Sequence, residues 1–212
     1  MRKPLFVTFE GGEGAGKTTL IRRLENELNQ RRYPTLQTRE PGGSPLGDKI
    51  RQLLLEEDSR TKIGPLAELL LFLAGRAQHL EEVVRPALAQ GKTVLCDRFN
   101  DSSVAYQGIA RGLGQTYVQN LCDQVCQSAT PDLTFFLDLD PSVGMERAAK
   151  QQRVMDRLEN EANGFHEKVR QGFFTLAYEN PQRISIIDAS ESPDAVFKQA
   201  WQILEGRLPT HV

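Results

Sequence analysis

The sequence predicts an α/β domain of the P-loop NTPase fold, with a five-stranded parallel sheet flanked by helices, and three observations carry that prediction. Short β-rich apolar runs recur around 5–9, 35–38, 93–97, 133–139 and 183–188, with helical patterns between them. The first run breaks into glycines and ends in Lys17-Thr18, and its spacing Gly11-x-x-x-x-Gly16-Lys17-Thr18 is the P-loop pattern. No linker, repeat or low-complexity segment divides the 212 residues, so one domain spans 1–212.

Leu5 to Phe9 reads as a buried strand, and the helix after the glycines is apolar at Leu20, Ile21, Leu24 and Leu28, a 3.6-residue period. The glycine-rich turn between them lets successive backbone N–H groups converge on phosphate oxygens, and the helix starts with its positive dipole end aimed at the same place. Gly11, Gly12, Glu13, Gly14, Ala15, Gly16, Lys17 and Thr18 are thus the expected ATP-binding residues. Lys17 would reach the β- and γ-phosphates and the Thr18 hydroxyl would ligate Mg²⁺. Glycine suits 11, 12, 14 and 16 because left-handed φ values cost it little and a Cβ would block the phosphates.

Thr35 to Thr38 is a second short strand, and Arg39-Glu-Pro-Gly-Gly-Ser-Pro45 a loop by its Pro and Gly content. Helical patterns follow over Leu46 to Glu57 and over Pro65 to Leu88, the latter apolar at Leu66, Leu69, Leu70, Leu73 and Ala77. Thr93-Val-Leu-Cys-Asp97 is a Walker-B-like strand whose terminal carboxylate could hold Mg²⁺, directly or through water, opposite Thr18. Arg98 comes next, and a planar, permanently charged guanidinium there suits bidentate phosphate binding or, alternatively, a local pair with Asp97. A polar loop is expected over Arg98 to Gly114, then a helix over Thr116 to Gln127. Leu133 to Leu139 is a strand, a helix starts at Val143, and another covers Phe165 to Tyr178. Arg183 to Asp188 and Pro193 to Glu205 close the chain as strand and helix, with Trp201 on the core.

The composition, 39% hydrophobic and 25% charged with net charge −2, is ordinary for a soluble globular protein and gives no support for a nucleic-acid partner. The apolar run Leu69 to Ala74 is far short of the ~20 residues of a membrane helix. No secretory-type leader precedes the first strand, so a cytosolic setting without a membrane partner is expected. Cys96, Cys122 and Cys126 read as buried reduced thiols, because no further His or Cys cluster accompanies the pair on one helix face.

Glu10-Gly-Gly-Glu-Gly-Ala-Gly-Lys-Thr-Thr19, Thr38-Arg-Glu-Pro-Gly-Gly43, Phe72-Leu-Ala-Gly-Arg76, Asp97-Arg-Phe99, Ala105-Tyr-Gln-Gly108 and Pro131-Asp-Leu133 resemble the motif series of the thymidylate kinases, in order and over nearly the whole chain. The P-loop sequence resembles the bacterial type, in which the catalytic arginines lie in a short helical lid, here about 147–161. The resemblance implies that Phe72 stacks on thymine and Arg76 bonds its carbonyl, their spacing of four placing both on one helix face. It implies that Arg98 and Arg39 hold the dTMP phosphate, that Ser103 and Gln107 line the base, and that Tyr106 crowds the sugar 2′ position. Glu13 would lie near the 3′-hydroxyl.

In the lid, Arg147, Lys150, Arg153 and Arg157 recur at helical spacing, either as an exposed salt-bridged face or as positive charge closing over ATP. The resemblance implies Arg153 as the catalytic lid arginine, with Arg147 alternatively stacking on adenine. Ala-Ala-Lys-Gln-Gln at 148–152 departs from the richer arginine run of the bacterial type. A homodimer through the 66–88 helix is also implied. The expected activity is Mg²⁺-dependent phosphorylation of dTMP by ATP. Another nucleotide or nucleoside kinase is the near rival, and a guanine-nucleotide switch is disfavoured because no Asn-Lys-x-Asp motif follows the later strands.

Overall fold

The β-rich runs become strands β1 (Phe6–Glu10), β2 (Thr35–Arg39), β3 (Thr93–Asp97), β4 (Leu133–Asp138) and β5 (Ile184–Asp188), each within a residue of its expected bounds. They pair in parallel in the order β2-β3-β1-β4-β5. The structure, a computed structural model, describes residues 4–55, 62–127, 129–150, 156–158 and 160–208.

Central strands carry apolar side chains on both faces because helices cover both. On one face, Val7, Phe9, Leu95 and Phe135 pack against Leu20, Ile21, Leu24 and Leu28 of α1 (Lys17–Gln30) and against Val196, Ala200 and Leu204 of α9 (Pro193–Glu205). Trp201 is half-buried against this core. On the other face, Phe6, Val94 and Cys96 meet Leu80, Val84 and Phe99. There Phe136 meets Leu69 and Leu73 of α3 (Pro65–His79) and Val169 and Phe173 of α8 (Asn163–Glu179). α2 (Pro45–Leu55) packs beside α3; the expected end of its helical pattern, 56–57, lies outside the described residues.

The structure corrects several expectations. The stretch 65–88 is α3, then a π-helical turn over Leu80–Val84, then α4 (Arg85–Ala89). Pro86 has no N–H to donate to the preceding turn, so regular α-helical bonding cannot run through it. Leu69 and Leu73 are buried, but Leu66 and Leu70 are 45% and 52% exposed and Ala77 also faces outward. The polar stretch 98–114 is not a loop: α5 (Asn100–Ser103) runs into a π-helical turn, Val104–Ala110, ahead of α6 (Gln115–Cys126). Its polarity is internal, since Asp101 takes two hydrogen bonds from Arg183 at 2.6 and 2.8 Å and Ser103 takes one from Arg76 at 3.0 Å. All three cysteines are free and buried, and burial pushes the Cys122 thiol up to about 11.

The lid also differs from expectation. Arg147 and Lys150 lie on α7 (Pro141–Lys150), but Arg157 occupies a turn and so does not share their helix. Arg153 lies outside the described residues.

Helix α7 braces the P-loop. A Cβ on Gly14 would strike the Gly144 backbone, and one on Gly144 would strike the Glu13 carbonyl, so the two backbones touch where only glycine fits. Gly12 does not need glycine in this way: its φ is not positive and a Cβ there would meet nothing within 4 Å. Gly144→Ala should therefore lose roughly 1–3 kcal/mol in urea unfolding, as overpacked sites do, and should also weaken ATP binding measured by calorimetry. Wild-type ATP affinity in this variant would show that α7 does not set the loop.

Candidate active site

The chain crosses from one side of β1 to the other between β3 and β4, and in open α/β sheets ligands bind at the carboxyl ends of the strands near such a crossing. A cleft of about 1070 Å³ opens there, across the ends of β1, β2 and β3. Glu13, Ala15, Lys17 and Thr18 line it from the P-loop, Arg39 from the end of β2, and Asp97 and Arg98 from the end of β3. Phe72, Arg76, Ser103, Tyr106 and Gln107 complete the set of expected residues on its walls. Gly14 and Gly16 line it as well, whereas Gly11 and Gly12 lie behind it and present carbonyls to Lys17.

The register Phe9↔Asp97 brings the P-loop and the Asp97-Arg98 turn side by side. Lys17 Nζ donates to the Gly11 and Gly12 carbonyls at 3.0 and 2.8 Å, and Arg98 Nη1 donates to the same Gly11 carbonyl at 2.9 Å. Two cations therefore converge on one oxygen. Arg98 has φ 67, a conformation that costs a non-glycine residue energy. It is held there by its N–H to the Phe9 carbonyl at 3.0 Å and by the Phe99 N–H to Glu10 Oε1 at 2.8 Å. Glu10 also accepts from the Ser102 hydroxyl at 2.5 Å, and burial, reinforced by Asp101, pushes its carboxyl up to about 7. The Arg98 guanidinium lies 5.4 Å from the Tyr106 ring centroid and 4.0 Å from Glu13 Oε2. Thr18 Oγ1 lies 3.4 Å from Asp97 Oδ2, so a hydroxyl and a carboxylate, both hard oxygen donors of the kind Mg²⁺ prefers, face each other.

Phe72 is half-buried, lines the cleft and belongs to none of the core clusters, unlike its neighbours Leu69 and Leu73. Arg76, 2% exposed, is locked in place: Nε donates to Glu40 Oε2 at 2.7 Å, Nη1 to Ser103 Oγ at 3.0 Å and Nη2 to the Phe99 carbonyl at 3.0 Å. Gln107 Nε2 donates to Glu68 Oε1 at 2.8 Å.

Sequence reasoning missed the buried carboxylates Glu10, Glu40 and Glu68, and Arg51. Glu68 had a signal, standing four residues before Phe72 and eight before Arg76 on one helical stripe. Arg51 had none; it lies mid-helix in α2, donates to the Pro41 carbonyl at 3.0 Å and enters the cleft. Burial and the nearby charges of Arg39 and Arg98 hold its guanidinium below its usual pKa, against the opposing attraction of Asp156 and Asp97.

A parallel sheet with a phosphate-binding loop before its first helix and a second cationic site beside that loop defines a P-loop nucleotide kinase. Residues 9–200 match the family Thymidylate kinase. The chain is 50% identical over 209 residues to the thymidylate kinase of Protochlamydia amoebophila, covering 96% of this chain and 93% of that one. It is 47% identical over 207 residues to that of Deinococcus radiodurans, covering 98% and 99%. The crystal structure of thymidylate kinase from Ehrlichia chaffeensis superposes with a TM-score of 0.77 at 34% identity, covering 95% of this chain and 98% of that one. The chain belongs to the thymidylate kinase family.

Lys17 yields a titration test. Burial, followed by the charge of Arg98, pulls its ammonium down to about 8 from 10.5. Phosphates arriving beside it favour the charged form and raise it again, so between about pH 8 and 10.5 ATP binding must take up protons. Calorimetry at pH 8.5 in buffers of different ionisation enthalpy should report that uptake, and Lys17→Arg, which cannot titrate there, should abolish it. Equal uptake in the variant would contradict the assignment.

Proposed function

We propose that this chain transfers the γ-phosphoryl group of ATP to dTMP, giving dTDP and ADP, with the donor triphosphate on the P-loop and Lys17 and the acceptor phosphate on Arg98 and Arg39. The observation that carries this reading is the shared Gly11 carbonyl. Lys17 and Arg98 each lie within 3.0 Å of it, so an anion on one stands in contact range of an anion on the other.

The acceptor is a phosphate monoester, whose second pKa near 6 leaves it largely ionised at neutrality, so no strong general base is needed. An acceptor phosphate oxygen bonds to the γ-phosphorus as the bond to the β–γ bridging oxygen breaks, and ADP leaves with that electron pair. The residues' task is positioning and charge neutralisation. Lys17 supports the γ-phosphoryl oxygens, and Arg98, anchored over Glu10, fixes the attacking oxygen. Thr18 and Asp97 would hold Mg²⁺, which when bound neutralises phosphate charge. Phe72 stacks on the base, Arg76 bonds its carbonyl, Ser103 and Gln107 line it, and Tyr106 closes the sugar side with Glu13. The lid over 147–161, including Arg153, is read as the cover that excludes water and adds positive charge.

Leu66 and Leu70 on α3, together with Leu46 and Leu53 on α2, are all at least 45% exposed, and an apolar surface of this kind favours a homodimer through these helices. Buried free thiols accord with a reducing, cytoplasmic setting. Among the described residues no helix is long and apolar enough to cross a membrane.

Coupled-assay rates with dTMP, dUMP, dCMP and AMP test the substrate; turnover of AMP comparable to dTMP would sink it. Arg98→Ala should cut kcat/KM by about 10³ or more, the scale set by transition-state arginines in P-loop systems. Tyr106→Ala should mainly raise turnover of the ribonucleotide relative to dTMP, and an unchanged sugar preference would refute its role. Sedimentation should show a dimer for the wild type and a monomer for Leu70→Asp; a monomeric wild type would remove the dimer.

A further inference from the structure

Buried carboxylates stand behind the expected base wall: Glu68 takes a hydrogen bond from Gln107 directly, and Glu40 holds Arg76, which donates to Ser103. Glu68 is 1% exposed and sits at the centre of a cluster: Gln107 Nε2 at 2.8 Å, Arg157 Nη2 at 2.6 Å, and Arg111 Nε and Nη2 at 3.3 Å. Burial alone would raise its pKa, but the hydrogen bonds from Gln107 and Arg157 and the charge of Arg111 hold it below the usual range, so Glu68 is an ionised, acceptor-only group. A carboxylate of that kind can receive only the amino end of Gln107. The amide cannot turn over without setting its oxygen against an ionised oxygen, and its carbonyl must therefore point away from Glu68. Gln107 is itself 1% exposed and lines the cleft, and no described residue donates to its oxygen.

The second member of the pair is fixed the other way round. Glu40 accepts from Arg76 Nε at 2.7 Å and from His79 Nδ1 at 2.9 Å, and Arg76, held in that clasp, donates to Ser103 Oγ at 3.0 Å. Arginine cannot accept, so the Ser103 oxygen is the acceptor in that bond and its own proton is left for another partner. No described residue takes that proton, and Ser103 and Gln107 are one helical turn apart on the same wall. The wall therefore offers a hydroxyl donor beside an amide acceptor.

We infer that Glu68 is a positioning residue for base selectivity: it fixes Gln107 as a hydrogen-bond acceptor beside the Ser103 donor, a pair that matches the carbonyl oxygen and adjacent N3–H of a thymine or uracil imide. Cytosine presents the opposite pattern on that edge, an amino donor beside an N3 acceptor; the Ser103 hydroxyl can rotate to accept from the amino group, but the fixed Gln107 carbonyl would face N3 acceptor against acceptor. A glutamine free to turn would tolerate both. The inference rests on the dTMP kinase reading and adds to it the source of the base preference.

The test is the ratio of kcat/KM for dTMP to that for dCMP. A site built to hydrogen-bond one pattern rejects the inverted one by roughly a hundredfold or more, and the wild type should show that ratio while accepting dUMP. Glu68→Gln, whose own amide can donate or accept, frees Gln107 to turn and should compress the ratio at least about tenfold, with KM for ATP unchanged. Gln107→Leu should compress it similarly, and adding Glu68→Gln to Gln107→Leu should change it no further. A Glu68 that only braced the fold would lower both substrates together and leave the ratio where it was. If the wild type phosphorylates dTMP but Gln107→Leu, or a folded Glu68→Gln, keeps the wild-type ratio, the inference is overturned. If the wild type does not phosphorylate dTMP, the kinase reading itself fails.

Discussion

The structure depends on two positive charges sharing one backbone oxygen. Lys17 and Arg98 both donate to the Gly11 carbonyl, from a loop and a turn that are 81 residues apart in sequence but adjacent because β1 and β3 pair in parallel with Phe9 opposite Asp97. Like charges so close would repel without compensation. Asp97, Glu13 and Glu10 supply it, and their attraction opposes the burial that lowers the Lys17 pKa. The phosphates of two bound substrates would add to that attraction and favour the charged form of Lys17 further.

Around that junction the polar side chains are supported from behind. Glu10 lies under the Arg98 turn, Glu40 holds Arg76, and Glu68 holds Gln107, and all three carboxylates are 5% exposed or less. Burying a carboxylate is costly unless donors satisfy its oxygens, and each of the three is fully engaged. The expenditure on fixed orientation suits a reaction whose chemistry needs alignment more than proton transfer. Arg98 in its left-handed conformation belongs to the same pattern: the strain at one residue is sustained by its own bonds to Phe9 and Ser102 and by the Phe99 N–H bond to Glu10.

Much of this was legible in the sequence where the signal is local. The P-loop announces itself within eight residues, and Asp97-Arg98 follows an apolar strand directly. The five strands could be read because buried parallel strands are short, β-rich and continuous. The segment 100–110 could not, because its Asn, Asp, Ser and Gln look like surface until their partners Arg183, Arg76 and Glu68 are known, and those lie 27 to 82 residues away. The same distance hides the role of Glu68. The grouping of lid arginines on one helix failed for a related reason: Arg157 leaves the helical stripe to donate to Glu68 and to the Leu54 carbonyl at 2.9 Å, and spacing cannot foresee a remote acceptor.

The most direct test is a crystal structure with dTMP and a non-hydrolysable ATP analogue bound together. The account predicts the γ-phosphate against Lys17, the dTMP phosphate against Arg98, and the two groups facing each other across the Gly11 carbonyl. A dTMP phosphate bound away from Arg98, or remote from the P-loop, would contradict it.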